Sequence, residues 1–505
     1  MKNLVRAAAA LMLALFLVFP AAPVLAQPAQ QQLRVGVWSL PPSRGNPYGG
    51  RSLPSTFVWD AVFDPLVRIG ANGSIVPVLA LSWELREPTV WRFKLRPKVT
   101  FHNGTPFNAD AVVATITWLT TQAGRASAVG TETRELAAAT KVDDLTVDIR
   151  TTVPDPLLPN RLAMMSIVEP KLWAQGGPEG FANAPVGTGS FKLESFSAGA
   201  ANLVAYSGAW RKARVKSVRI IDLPERPARL QALTSGQIDI AFGLAPDQLV
   251  VLKRLGLQVI STPAPQVMSL AFITEGKESP LKDQRVRLAM NHAVNKQLIA
   301  DQLLAGLGRP AGQGGTAAAF GYDSELKPIP YDPARARALL KEAGYPNGFA
   351  MVAEVTVDAF PADSEIYQQM AFDLDAVGIR VELRQIRFPD WLKKFLGGGW
   401  EGIAYGSSWN TAPFMDTIRP YLIFSCLKKP SFFCDQSVVP LIQEASREFD
   451  PKKRLPVLRK LHAETQRNPS ALFLVEQVDL TGVSAKVDGV KFVNRTVSYD
   501  TARFK

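Results

Sequence analysis

The chain has 505 residues, 47% hydrophobic and 20% charged, with 57 Lys and Arg against 45 Asp and Glu for a formal charge of +12. Its length exceeds one hydrophobic core, so two or three domains are expected. No basic block or aromatic-interleaved basic patch stands out, which leaves nucleic-acid binding little support and makes the positive charge a dispersed surface.

Residues 1–26 read as a secretory signal. Lys2 and Arg6 precede the apolar run Ala7 to Phe19, and Val24 Leu25 Ala26 puts small residues around a cleavage point after Ala26. The apolar run is shorter than the ~20 residues a bilayer span needs, and no Cys follows the cleavage point to take a lipid. Cleavage lowers the charge from +12 to +10. The expected location is the periplasm of a Gram-negative cell.

Leu33 to Trp38 reads as a strand. The run from Phe63 to Val112 then combines Phe63 Asp64 Pro65 Leu66 Val67 Arg68, a tight hairpin turn at Asn72 Gly73, the apolar segment from Val76 to Trp83 and a strand at Trp91 to Leu95. It closes on Phe101 to Phe107, with Asn108 placed to cap a helix starting at Ala109. Further strands are expected at Thr146 to Arg150, Ser217 to Leu223, Ile238 to Phe242, Gln266 to Phe272, Phe349 to Val355, Gly402 to Ala404 and Ile379 to Gln385. Helices are expected from Pro227 to Ser235, as one long element from Asp283 to Ala305, from Asp332 Pro333 to a stop at Gly344, and from Ser364 to Asp375. The alternation argues for α/β lobes.

This order of motifs resembles the signature region of the large extracellular solute-binding proteins, family 5, that serve bacterial ABC importers of the oligopeptide, dipeptide and nickel type. The loop Ala184 to Phe191, the helix-Gly-strand unit Arg229 to Ile240 and the helix start Val286 to Asn295 extend the resemblance along nearly the whole mature chain. It implies a type II periplasmic binding protein, two lobes joined by a hinge with an extra inserted domain. Mapped here, domain I takes 33–71, 184–265 and 478–505, domain II takes 72–183, and domain III takes 266–477, with hinge strands crossing near Pro265 and Val478. The implied function is capture of a peptide or peptide-like solute by lobe closure and delivery to an inner-membrane ABC permease with its ATPase subunits. A monomer without cofactor or resident metal is expected. A receptor for a nickel chelate or other non-peptide solute is the alternative within this class, and a secreted hydrolase or periplasmic chaperone the alternative outside it.

The cleft candidates are Trp38, Gly187, Thr188, Tyr405, Ser408, Trp409, Asn410 and Asp358. Two glycines around the Thr188 hydroxyl allow backbone N–H groups to approach a ligand, or serve a tight interdomain turn. Tyr405 to Asn410 would follow a strand end, where an aromatic and small donors suit a ligand edge. Dipeptide-binding relatives carry an Asp a few residues after the Trp, gripping the ligand ammonium, and an Arg ahead of the helix at 364–375, pairing its carboxylate. Here Asn410 Thr411 Ala412 Pro413 offers no carboxylate before Asp416, and Asp358 Ala359 Phe360 Pro361 offers no Arg, so both anchors of a free dipeptide are missing. Asp358 is either a charge facing the cleft or a solvated loop residue.

Catalysis finds little footing. His102, His292 and His462 lie in separate contexts without an HExxH pair. Gly306 to Ala311 mimics a dinucleotide fingerprint but follows a helix and carries a Pro, so a loop is expected. Ser279 Pro280 Leu281 Lys282 fits a loose Ser-x-x-Lys pattern without its companion motifs, and a turn into the next helix is the plainer reading. Cys426 and Cys434, in an exported chain, are expected to form a disulfide.

Overall fold

The structure is a computed structural model that describes residues 32–505 apart from 51–52, 277 and 358–359; the expected signal, 1–26, lies outside the described residues. No helix among the described residues is long and apolar enough to cross a membrane.

One eleven-stranded sheet runs through the molecule. Its strands lie in the order Ile379–Gln385, Phe349–Val355, Ala404–Asn410, Gln258–Phe272, Ala471–Val483, Ile240–Leu244, Gln32–Val37, Ser217–Asp222, Ala200–Ala205 and Phe191–Phe196, with the short Arg309–Pro310 paired to Ala471–Val483. At the first-lobe end Gln32–Val37 pairs in parallel with both Ser217–Asp222 and Ile240–Leu244. At the second-lobe end Phe349–Val355 pairs in parallel with Ile379–Gln385, and the helix Asp363–Asp375 makes the crossover that parallel strands need. Segment 72–183 contains a separate antiparallel sheet ordered Ala80–Glu87, Val90–Leu95, Thr146–Thr151 and Leu136–Asp143.

Two long antiparallel strands, Gln258–Phe272 and Ala471–Val483, belong to both ends of the sheet. Their pairing is regular up to Pro263 opposite Val478 and resumes at Val267 opposite Glu476. A proline has no N–H for the ladder, so Pro263 and Pro265 favour a break in regular pairing here. The Pro265 carbonyl instead accepts bonds from the Thr411 N–H and hydroxyl at 2.8 and 3.0 Å.

Apolar side chains segregate accordingly. One buried cluster gathers Val35, Phe57, Phe63, Phe93, Phe101, Ile220 and Phe242 in the first lobe and inserted segment. A second packs Leu270, Val286, Met290, Ala353, Ile366 and Leu474 in the second lobe. A third surrounds Trp409 with Tyr421, Leu458 and Phe473.

Many of the expected elements are present with small shifts of their ends. The Asn72-Gly73 turn joins Val67–Ile69 to Ile75–Pro77 with Gly73 at φ +75°, a conformation that glycine enters freely. The Asn108 side chain caps Ala109–Leu119 by accepting from the Asp110 N–H, and Asp332 caps Pro333–Glu342 through the Arg335 N–H. The single long helix from Asp283 is corrected. It ends at Ala293 because Val294 turns extended, and the Asn295 side chain starts a new turn by accepting from the Leu298 N–H at 3.0 Å. The strand expected to begin at Gln266 starts at Gln258, and the one expected at 402–404 is Ala404–Asn410. The loop expected at 306–311 contains the short strand Arg309–Pro310.

Candidate functional site

The Gly187-Thr188-Gly189 loop is packed into the scaffold. A Cβ on Gly187 would lie 2.0 Å from the Val62 carbonyl oxygen and one on Gly189 would lie 2.2 Å from that of Ala61, so glycine serves here to let two backbones touch. His102 clamps the loop: its Nε2 bonds the Gly189 carbonyl at 3.0 Å and its Nδ1 accepts from the Gly187 N–H at 3.3 Å. That pattern requires one neutral tautomer. Burial lowers the ring's pKa to about 4, which keeps it neutral.

Thr188 is fully buried and donates its hydroxyl to Asp64 at 3.1 Å. The same carboxylate accepts from Trp210 Nε1 at 3.0 Å, Arg211 Nη2 at 2.6 Å and Arg68 Nη2 at 3.4 Å. Burial alone would raise the Asp64 pKa, but the charges of Arg211 and Arg68 and the donated bonds outweigh it and hold the carboxyl below its ordinary range. Of the two readings of Gly187 and Thr188, the geometry fits the interdomain turn.

The other candidates divide. Trp38 packs edge-on against Phe57 at the first-lobe core, with ring centroids 4.8 Å apart. Tyr405 and Trp409 do not extend beyond a strand end, because Ala404–Asn410 is itself the strand. Tyr405 stacks on Trp400 at 4.3 Å, and Trp409 is buried among Phe424, Phe473 and Tyr421, so both aromatics are core groups here. Ser408 lies on the same strand opposite Met268, and Asp358 lies outside the described residues. Among the seven described candidates, Asn410 alone lines the large cavity between the lobes.

That cavity, of about 270 Å³, is walled on one side by Thr56, Arg68, Glu132 and Met164 with the turn at Asn494 and Arg495, and on the other by Asn410, Met415 and Arg419. A larger open groove near Met351 and Arg380 lies wholly on the second lobe, with no wall from the first. Three guanidinium groups thus meet a space bounded by both lobes. Each is oriented by an acidic neighbour: Arg68 by Asp64, Arg419 by Glu132 at 2.6 Å, and Arg495 by a two-point bond to Asp479 at 2.8 and 3.0 Å. Arg495 Nη1 also donates to Gln266 Oε1 at 3.1 Å, beside the interruption in the long strands.

The backbone at this cavity is unusual. Asn494, Arg495 and Met415 all have positive φ, of 48°, 61° and 50°, which non-glycine residues rarely adopt and which concentrates where function constrains the chain. The Asn494 side chain holds its turn by donating to the Gly70 carbonyl at 2.7 Å. Arg68, Glu132, Arg419 and Arg495, which line this cavity, are not among the eight residues the sequence suggested. The Asn-Arg pair after Val493 carried a turn signal, but nothing local to Glu132 or Arg419 showed that they would meet.

A family description, Bacterial extracellular solute-binding proteins, family 5 Middle, matches residues 74–429. The chain belongs to this family. Among its relatives, the glutathione-binding protein GsiB of Escherichia coli (strain K12) is 25% identical over 430 residues, covering 81% of this chain and 82% of that protein. GsiB of Pectobacterium atrosepticum is 27% identical over 345 residues, covering 67% of this chain and 66% of that protein. Among solved structures, the periplasmic binding protein DppA from Helicobacter pylori in complex with the peptide STSA has a TM-score of 0.77 at 22% identity, covering 94% of this chain and 98% of that one. NikA from Brucella suis in complex with Fe(III)-EDTA has a TM-score of 0.79 at 22% identity, covering 94% and 100%. The fold is therefore that of a type II periplasmic binding protein, and this family 5 member is a solute-binding protein whose fold alone does not name the solute.

The three histidines serve separate places: His102 clamps the scaffold loop, His292 Nδ1 bonds the Pro330 carbonyl at 3.0 Å, and His462 Nδ1 bonds the Tyr421 hydroxyl at 2.7 Å. Ser279 spends its hydroxyl as a cap, accepting from the Leu281 N–H at 3.1 Å. Cys426 and Cys434 are bonded to each other with Cα atoms 4.5 Å apart.

Proposed function

We propose that the chain is the periplasmic receptor of an ABC importer, that it captures a peptide or peptide-like solute in the cavity between its lobes, and that it presents the closed complex to an inner-membrane permease and its ATPase subunits. The observation that carries this reading is a cavity walled by both lobes and set beside the strands that join them. Closure about those strands near Pro263 and Glu476 would bring the walls together, and a solute touching both favours the closed state. On this reading domain I comprises 33–71, 184–265 and 478–505, domain II is 72–183, domain III is 266–477, and the mature chain, cleaved after Ala26, works as a monomer without catalysis.

The ligand edge is proposed to be Arg68, Glu132, Asn410, Arg419 and Arg495. Guanidinium groups suit the carboxylates of a peptide, Glu132 is engaged by Arg419 at 2.6 Å and so orients that guanidinium, and Met164 and Met415 give adaptable apolar contact. A relative named for binding glutathione, a short peptide with two carboxylates, supports this class of solute. Asp416, the first carboxylate after Trp409, is committed to Arg454 at 2.9 Å and to the Ile418 N–H at 3.0 Å, which supports the expectation that a free dipeptide lacks its usual ammonium partner.

The test combines native mass spectrometry of the purified protein with calorimetry on Ala-Ala, Ala-Ala-Ala and reduced glutathione. Expected are a co-purified peptide-like mass and binding of the longer ligands with Ala-Ala weaker by a hundredfold or more, from a charge-pair loss of ~3 to 5 kcal/mol. A co-purified metal chelate, or Ala-Ala bound most tightly, overturns the assignment.

A further inference from the structure

The turn that lines the cavity from the second lobe also reaches the inserted segment, and the two sides exchange apolar side chains. Phe414 of the turn is buried in the first-lobe cluster, while Leu157 of the inserted segment is buried in the cluster around Trp409. Polar groups surround this exchange. Asn160 Nδ2 donates to the Phe414 carbonyl at 2.8 Å in a buried bond. The Phe414 ring lies between two guanidinium groups, Arg161 from the inserted segment at 4.5 Å and Arg419 from the second lobe at 5.7 Å.

Arg161 is held by Asp155 at 2.8 Å and donates to the Glu132 carbonyl at 2.9 Å. The Glu132 carboxylate accepts from Arg419 Nη2 at 2.6 Å, and Arg419 Nη1 donates to the Asn410 carbonyl at 2.9 Å. A continuous path therefore runs from Asp155 through Arg161, Glu132 and Arg419 to Asn410. Glu132, Asn410, Met415 and Arg419 also line the cavity.

Resting on the reading that this receptor works by lobe closure, we propose that the inserted segment is a closure latch: Glu132, Asn160 and Arg161 grip the 410–419 turn through Arg419 and Phe414. The latch holds the lobes by the protein's own contacts, and the turn it grips is a wall of the solute cavity. A solute that orders Asn410 and Met415 orders the latch as well, which couples binding to closure. Arg419 and Glu132 are both part-exposed, so salt screens this pair and weakens the latch.

The test uses the full mature chain with nitroxide labels at two exposed positions, Val142 on the inserted segment and Glu444 on the second lobe. Electron–electron resonance then measures their separation without added solute. The wild type is expected to show a major short-distance population. Glu132→Gln and Asn160→Ala each shift it toward longer distances, 0.5 M salt does the same for the wild type, and the swap Glu132→Arg with Arg419→Glu restores the short distance. A roughly two- to fivefold drop in the closed-to-open ratio is expected for Glu132→Gln, the range of a part-exposed ion pair. Two populations that ignore both substitutions and salt overturn the latch. One fixed distance in every variant and salt, unchanged when reduced glutathione or Ala-Ala-Ala is added, overturns lobe closure itself, so the two failures are distinct.

Discussion

Lys296 offers a test of how the second lobe is built. It starts the short turn after the helix break, fully buried, with Nζ donating to Asn291 Oδ1 at 3.1 Å. Burial lowers its pKa from 10.5 to about 7. At roughly 1.4 kcal/mol per pH unit, that gap corresponds to a penalty on the order of 5 kcal/mol for folding with the amine charged. The sign follows from proton counting. Below about 7 both states hold the proton and the penalty is complete. Between about 7 and 10.5 the unfolded chain holds a proton the folded chain has shed, so stability rises with pH. Above 10.5 both amines are neutral and the penalty is gone.

Lys296→Met removes the charge, keeps most of the volume and loses one hydrogen bond worth about 1 kcal/mol. Urea unfolding at pH 6, 8 and 10 should therefore show the variant several kcal/mol more stable than wild type at pH 6, with an advantage that shrinks steadily toward pH 10. A difference of either sign that stays constant across these pH values would refute the reasoning, because it would mean that Lys296 does not change protonation on folding.

Asp64→Asn should cost ~3 to 5 kcal/mol, since it leaves the buried ends of Arg211 and Arg68 without their shared charge; chemical melts measure it. Because the Asp64 carboxyl is held below its ordinary range, its contribution is present at neutral pH and is lost as the pH falls through the folded value, so the gap between variant and wild type should narrow in acid melts. Thiol titration of periplasmic material under denaturing, non-reducing conditions should find no free thiol, and replacing both cysteines should cost ~2 to 3 kcal/mol by the loop-entropy account. Ser279→Ala should lower stability by about 1 kcal/mol through the lost cap and change no hydrolysis rate on a peptide and ester panel; turnover abolished by that substitution would restore the hydrolase reading.

Local chemistry was enough for the turns, caps and strands. Asn72-Gly73, Asn108 and Asp332 act through atoms two or three residues away, so their roles are legible wherever they stand in a sequence. The order of motifs carried the family for a related reason, since short elements in a set sequence constrain which lobes can form. The cavity between the lobes was not legible in this way. Trp409 and Tyr405 have the residue types of a ligand edge, yet the strand they occupy alternates side chains between two faces and turns both aromatics into the core. Glu132 and Arg419 meet across 287 residues, and Arg495 reaches the cavity through a left-handed turn that depends on Gly70 to hold it. Sequence determines which segments form and where they end. Which faces they turn toward each other, and so which charges line the cavity, is decided by the packing of two lobes around one shared pair of strands.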